Sequence, residues 1–213
     1  MSRPLIERHC KRAGSPFSAG RRVVDESPSR PESSARRRIL DAASSLFYTL
    51  GVRSVSADRV ISESAVSKVT FYRHFPTKDD LVLAYVEETA SAERAQYEEA
   101  RSRLDDAALW GWYVASVVDA GCLPGFRGCP FINAAVEYPE ATHVVRLAVA
   151  RHREWVQGEL EALATRLGAV DPRCAAQEIY MLRDGALVLA ALDGASERIA
   201  PVLDEAGRRL LSV

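Results

Sequence analysis

Between Ser67 and Lys78 the chain reads SKVTFYRHFPTK, a run dense in hydrogen-bond donors. Ser67, Lys68, Thr70, Tyr72, Arg73 and His74 can each donate to a phosphate oxygen or a base edge. Val69 and Thr70 add methyl groups of the kind that meets a thymine methyl. Lys78 stands at a predicted helix start, where a cation and exposed amides together grip a phosphate. Arg38 and Ser56, further upstream, are additional DNA-binding candidates. Phosphate contacts fix register and base-edge contacts read sequence, and this segment has side chains for both.

The surrounding pattern supplies elements to position them. From Ala35, the residues Ile39, Leu40, Ala42, Ala43, Leu46, Phe47 and Leu50 recur at helical spacing, and Gly51 offers a left-handed stop. Ser56 is the expected N-cap of a short helix over Ala57 to Glu63, with Asp58 favourable to its dipole. Ser67 is the expected cap of a second short helix through Arg73, with Phe71 and Phe75 as core pins against Phe47 and Leu81. Pro76 forbids continuation. Thr77-Lys78-Asp79-Asp80 is an aspartate variant of the capping box, opening a long helix that carries Leu81, Val82, Tyr85 and Val86 inward. Two short helices joined tightly behind an amphipathic one form a helix-turn-helix, whose second helix lies in the major groove.

Charge agrees. Residues 1–78 hold 15 Lys and Arg against 7 Asp and Glu, a net +8, whereas residues 79–213 are net −9. A basic third joined to an acidic two-thirds places polyanion binding in the first part only. Residues 1–34 are rich in Ser, Pro and Arg without apolar period and read as a disordered basic arm. The apolar fraction of 47% supports a sizeable core. No run approaches the ~20 apolar residues of a membrane span, and no signal-peptide block follows the early arginines, so a cytoplasmic location is expected.

Ile39-Leu40-Asp41-Ala42-Ala43 with Leu46-Phe47 and Gly51, then Val66 through Leu81, resembles the N-terminal domain of TetR-family regulators. The resemblance covers about residues 35–86. It implies an all-α homodimer of nine or so helices, a palindromic operator and an effector pocket in a divergent C-terminal body. It further implies phosphate contacts by Thr70, Tyr72, His74 and Lys78, with Ser67, Lys68 and Val69 facing the groove. Two positions depart from the family pattern, which has Gly where this chain has Ala65 and Val69. A left-handed Ala65 costs about 1 kcal/mol. Val69 adds bulk at the groove and points to an altered base preference.

Downstream the chain reads as helices over about Asp105 to Ala120, Pro130 to Tyr138, Ala141 to Leu167, Pro172 to Gly194, and a short last one. This divides the chain into an arm (1–34), a helix-turn-helix domain (35–86, its last helix reaching about 102) and a helical body (87–213). Trp110, Tyr113, Cys129, Phe131, His152 and Arg183 are the candidate effector-pocket residues, plain core being the alternative for each aromatic. Arg183 and Asp184 interrupt an apolar helix and suit an ion pair with each other or with Glu137. The surface from Ala186 to Leu192, apolar nearly all round, is the expected dimer interface, with Leu187, Ala190 and Ala191 at its centre.

The function expected is a homodimeric repressor released from its operator by a small molecule. Alternatives are redox sensing through Cys122 and Cys129 beside Arg127, or a helical dimer with a degenerate DNA-binding domain. The four cysteines lack the spacing of a disulfide framework, and the four histidines lack metal-ligand spacing. No nucleophile elbow or phosphate loop suggests an enzyme or a cofactor.

Overall fold

Capping side chains set most of the helix starts. The computed structural model describes residues 31–123, 125–194 and 196–212. Among these lie nine helices and no strand: α1 (Pro31–Leu50), α2 (Ala57–Ser64), α3 (Lys68–His74), α4 (Lys78–Arg103), α5 (Asp106–Gly121), α6 (Pro130–Val136), α7 (Val144–Leu167), α8 (Pro172–Asp193) and α9 (Ser196–Leu211). Ser56 accepts from the Arg59 amide at 3.2 Å, Ser67 from Thr70 at 3.1 Å, Asp105 from Ala108 at 2.8 Å and Asp171 from Cys174 at 3.0 Å. The Thr77–Asp80 box closes in both directions. Asp80 N–H donates to Thr77 Oγ1 at 3.1 Å, and Thr77 N–H donates to Asp80 Oδ2 at 2.9 Å.

The all-α class is observed, with three boundary corrections. The first helix starts at Pro31, so residues 31–34 belong to it and not to the arm; residues 1–30 lie outside the described residues. The sixth stops at Val136, before Tyr138, and the seventh begins at Val144, after Ala141. The residues between make hydrogen-bonded turns of their own, Tyr138 to the Ala135 carbonyl and His143 to that of Glu140.

The chain forms two compact units, and the boundary between them falls inside α4, between Ser91 and Ala92. One unit holds α1 to α3, the first half of α4, and residues 130–151. In it α1, α2 and α3 pack on one another, burying Ile39, Leu40, Phe47, Val55, Val60 and Phe71. Phe47 meets Tyr85 edge to face with centroids 5.8 Å apart. The other unit comprises residues 92–129 and 152–213. There α5, α8 and α9 pack on one another. Gly207 of α9 is essential to that packing, because a Cβ there would lie 2.0 Å from the Trp110 ring.

Leu187 and Ala190 are buried in their own unit's core, and this corrects the expectation that they meet a second chain. Ala191, one position on, is exposed. The outward face of α8 is carried by Met181, Gly185, Val188 and Leu192 at helical spacing, with Leu189 beside them. Among the described residues no helix is long and apolar enough to cross a membrane.

Candidate nucleic-acid interface

Local chemistry aims α3 outward. Ala65 adopts the left-handed conformation (φ 51, ψ 43) and ends α2, its N–H reaching the Ser62 carbonyl at 3.3 Å. Two residues later Ser67 starts α3, sharing a second bond with the Thr70 hydroxyl at 2.9 Å. Phe71 and Phe75 are buried at 0% and 2%, so the helix's inward face is fixed. Lys68, Val69, Tyr72 and Arg73 therefore share the outward face, with Ser67 at its start. Val69 is 79% exposed at the centre of this face. Thr70 and His74 are half-buried, and His74 Nε2 is enclosed without a hydrogen-bond partner, so only the other edge of that ring faces out.

Positive charge surrounds this face. Lys68 reaches Asp58 of α2 at 3.3 Å, an exposed and weak pair that a phosphate can displace. Ser56 is exposed at the start of α2. Lys78 is half-buried at the start of α4, and burial lowers its pKa against the opposing pull of Glu137 and Asp79. On α1, Arg36 lies over the Phe75 ring at 5.2 Å and Arg37 pairs with Asp41 and Glu88, while Arg38 is exposed. The ten DNA-binding candidates thus fall on α1, α2, α3 and the start of α4, within one unit.

Known proteins have the same arrangement. The model of the bacterial regulatory proteins of the tetR family matches residues 39–85. The crystal structure of SCO4454, a TetR-family transcriptional regulator from Streptomyces coelicolor, is similar at 37% identity with a TM-score of 0.80, over 84% of this chain and 95% of that one. The chain belongs to the TetR family. A putative TetR transcriptional regulator from Streptomyces avermitilis is similar at 24% identity and a TM-score of 0.73, over 83% and 97% of the two chains. Reduced NemR of E. coli, at 17% identity and a TM-score of 0.72 over 83% and 96%, shares the fold. No curated protein matches the sequence. As a TetR-family transcriptional regulator this chain is a DNA-binding protein, and α2 and α3 are its helix-turn-helix.

The body of this TetR-family chain sorts the pocket candidates. Tyr113, Cys129, His152 and Arg183 gather in the same unit around a residue the sequence did not flag, Glu93. Arg183 donates to Glu93 at 3.2 Å and to Asp184 at 3.2 Å. His152 Nε2 lies 3.2 Å from the other Glu93 oxygen. Burial alone would raise the Glu93 pKa, but the His152 hydrogen bond and the Arg183 charge outweigh it and hold the group below the ordinary carboxylate value. Tyr113 is buried with no hydrogen-bond partner on its hydroxyl, and burial pushes its pKa far up. Tyr180 lies under the Arg183 and Arg153 guanidinium groups, and burial pushes it up to about 12.

Trp110 does not join this set. Trp110 donates its indole N–H to Asp204 at 2.8 Å and is filled against Gly207, so its role is to lock α5 to α9 rather than to line a pocket. Phe131 is buried in the unit that contains α1 to α3. Glu137 pairs within its own unit, with the Val52 and Arg53 amides, and Arg183 within its own, with Glu93 and Asp184. Cys122, Cys129 and Cys174 are not joined in disulfides, with Cys129 buried and Cys122 half-buried. Glu93 is the residue that sequence reasoning missed, since it sits in no motif, and Glu137, expected as a partner for Arg183, instead receives the Val52 and Arg53 amides.

Proposed function

We propose that this TetR-family chain is a homodimeric repressor that inserts α3 into the major groove of a palindromic operator and is released by a small molecule bound in its body. The observation that carries the DNA-reading part is the split of α3. Phe71 and Phe75 are buried, while Lys68, Val69, Tyr72 and Arg73 project, with Val69 79% exposed. A helix built this way reads base edges with its outward residues, and Val69 can meet a thymine methyl among the cations. Ser56, Ser67, Thr70, Tyr72, His74, Lys78 and Arg38 supply the phosphate grip.

The dimer is supported by the apolar stripe of α8, with Met181 66%, Val188 47% and Leu192 76% exposed. Helices bearing such a stripe associate about a two-fold axis, which matches a palindrome. Effector binding is supported by the Glu93, His152, Arg183 and Tyr113 cluster, where a fully buried hydroxyl waits without a partner. A ligand that binds better to one spacing of the two α3 helices shifts the population away from DNA.

Selection from a randomised duplex library tests the reading. The expected product is an inverted repeat whose half-sites lie about 34–36 Å apart or a multiple of this. Its affinity should fall steeply with salt. Val188→Glu with Leu192→Glu should give monomers that lose this affinity. Enrichment of no sequence at all would sink the proposal, as would a monomer that binds as tightly as the wild type. For the effector, native mass spectrometry of protein taken from cells should show a bound small molecule, lost in Tyr113→Phe with Arg183→Met.

A further inference from the structure

We propose that Glu137 is a positioning residue for DNA binding, acting through the backbone of the turn between α1 and α2. Gly51 closes α1 in the left-handed region (φ 88), with its N–H on the Phe47 carbonyl at 3.0 Å. That turn frees the next two amides from the helix, and both donate to one carboxylate. Val52 N–H reaches Glu137 Oε1 at 2.7 Å and Arg53 N–H reaches Oε2 at 2.5 Å. In return the Glu137 carbonyl accepts from Arg53 Nε at 3.0 Å. Three bonds on a two-residue turn fix the direction in which the chain leaves α1. Val55, fully buried, and the cap Ser56 follow at once, so the turn sets the entry of α2 and, through the Ala65 turn, the pose of α3.

The same segment holds the other flank. Tyr138 O–H donates to Asp79 Oδ1 at 3.0 Å, and His143 Nε2 lies 3.2 Å from Asp79 Oδ2. The Val145 amide donates to His143 Nδ1 at 3.3 Å, which assigns the proton to Nε2 and makes it the donor to Asp79. Tyr138 stacks on His143 with centroids 4.2 Å apart. Asp79 sits in the first turn of α4 beside Lys78. Arg146 of α7 secures the strap by donating to the Ala135 and Tyr138 carbonyls at 3.2 and 3.4 Å. Residues 137–143 thus grip both ends of the segment that contains α2 and α3.

Two observations separate this from ordinary packing. Glu137 follows the C-terminal end of α6, where a carboxylate is disfavoured by its own helix dipole, so its position is explained by the amides it receives. At Gly51 the φ is positive and an added Cβ would lie 3.1 Å from Glu137 Oε1, so the glycine serves both the turn and the approach of the carboxylate.

The experiment uses the full chain and the duplex that the wild type selects from a randomised library. Glu137→Gln keeps the size but presents an amide nitrogen to one of the two N–H groups, and Glu137→Ala removes both acceptors. Expected for Gln is binding weakened about tenfold, from one lost charge-assisted bond. The salt slope should shrink by about one to two units as contacts at the α2 and α4 starts are lost. Amide exchange should accelerate at Val52 and Arg53. A merely structural role would lower the thermal midpoint and release those two amides but leave the folded protein's affinity and salt slope unchanged, and that result in Glu137→Gln overturns the proposal. The Gln variant decides the matter if the Ala variant does not fold.

Discussion

Replacing Ala65 by glycine should stabilise the protein. Ala65 sits at φ 51 and ψ 43, inside the left-handed region, and forms the turn between α2 and α3. A Cβ in that region costs about 1–2 kcal/mol relative to the right-handed one, a cost glycine does not carry. Glycine gives back about 0.4–1 kcal/mol through the greater freedom of the unfolded chain. The Ala65 side chain is exposed, so removing its methyl group loses no core packing. The balance is a gain of about 0.5–1 kcal/mol, or a midpoint higher by about 1–4 °C in a chain of this size. Urea unfolding at constant m reads the difference directly. Ala65→Val, with a branched side chain in the same conformation, should move the midpoint the other way. Because glycine holds the same turn, DNA affinity should stay within about twofold. If Ala65→Gly were neutral or destabilising at unchanged m, the strain assigned to this turn would be refuted.

Gly207→Ala should destabilise the unit containing α5, α8 and α9 by about 1–3 kcal/mol or more, since the new methyl group must displace the buried Trp110 ring; near-ultraviolet circular dichroism and thermal unfolding report it. Val69→Gly should change which duplex is selected from a random library while leaving binding to non-specific DNA within about twofold, because Val69 has no donor for phosphate. Glu93 is held below the ordinary carboxylate pKa, so its contribution to stability is complete above the unfolded value and is lost as the pH falls through the lower folded one. The stability-versus-pH profile of Glu93→Gln should therefore be flatter than the wild type's on the acid side, below about pH 4.3.

What the sequence disclosed was what acts over three or four residues. Ser56, Ser67, Thr77 and Asp80 cap helices that begin within a residue of their predicted starts, because an N-cap bonds an amide only three positions ahead. The outward face of α3 was legible for the same reason, once Phe71 and Phe75 were assigned inward. On α8 the periodicity was too rich. Leu187 and Val188 are neighbours and equally apolar, yet one is 4% and the other 47% exposed, and nothing local distinguishes them. Trp110 belonged to an aromatic cluster whose spacing fits a cavity wall as well as a core, and only the approach of Gly207 decides it. Glu93 meets Arg183 across 90 positions and Glu137 meets Val52 across 85, distances at which no pattern in one sequence speaks.

Helix α2 is bounded on both sides by arrangements that local preference disfavours. At its end a non-glycine residue adopts the left-handed turn, and ahead of it the turn out of α1 is held by a carboxylate placed against its own helix dipole. Local rules are broken where a longer-range demand outweighs them, and here the shared demand is the direction of α3. The two sites nevertheless answer differently to change. Glycine at position 65 relieves strain and keeps the turn, so stability rises and affinity holds. Loss of the Glu137 carboxylate leaves the turn's amides without a fixed acceptor, so affinity falls further than stability. Opposite responses from the two ends of one eight-residue helix would separate the chemistry that folds this domain from the chemistry that aims it.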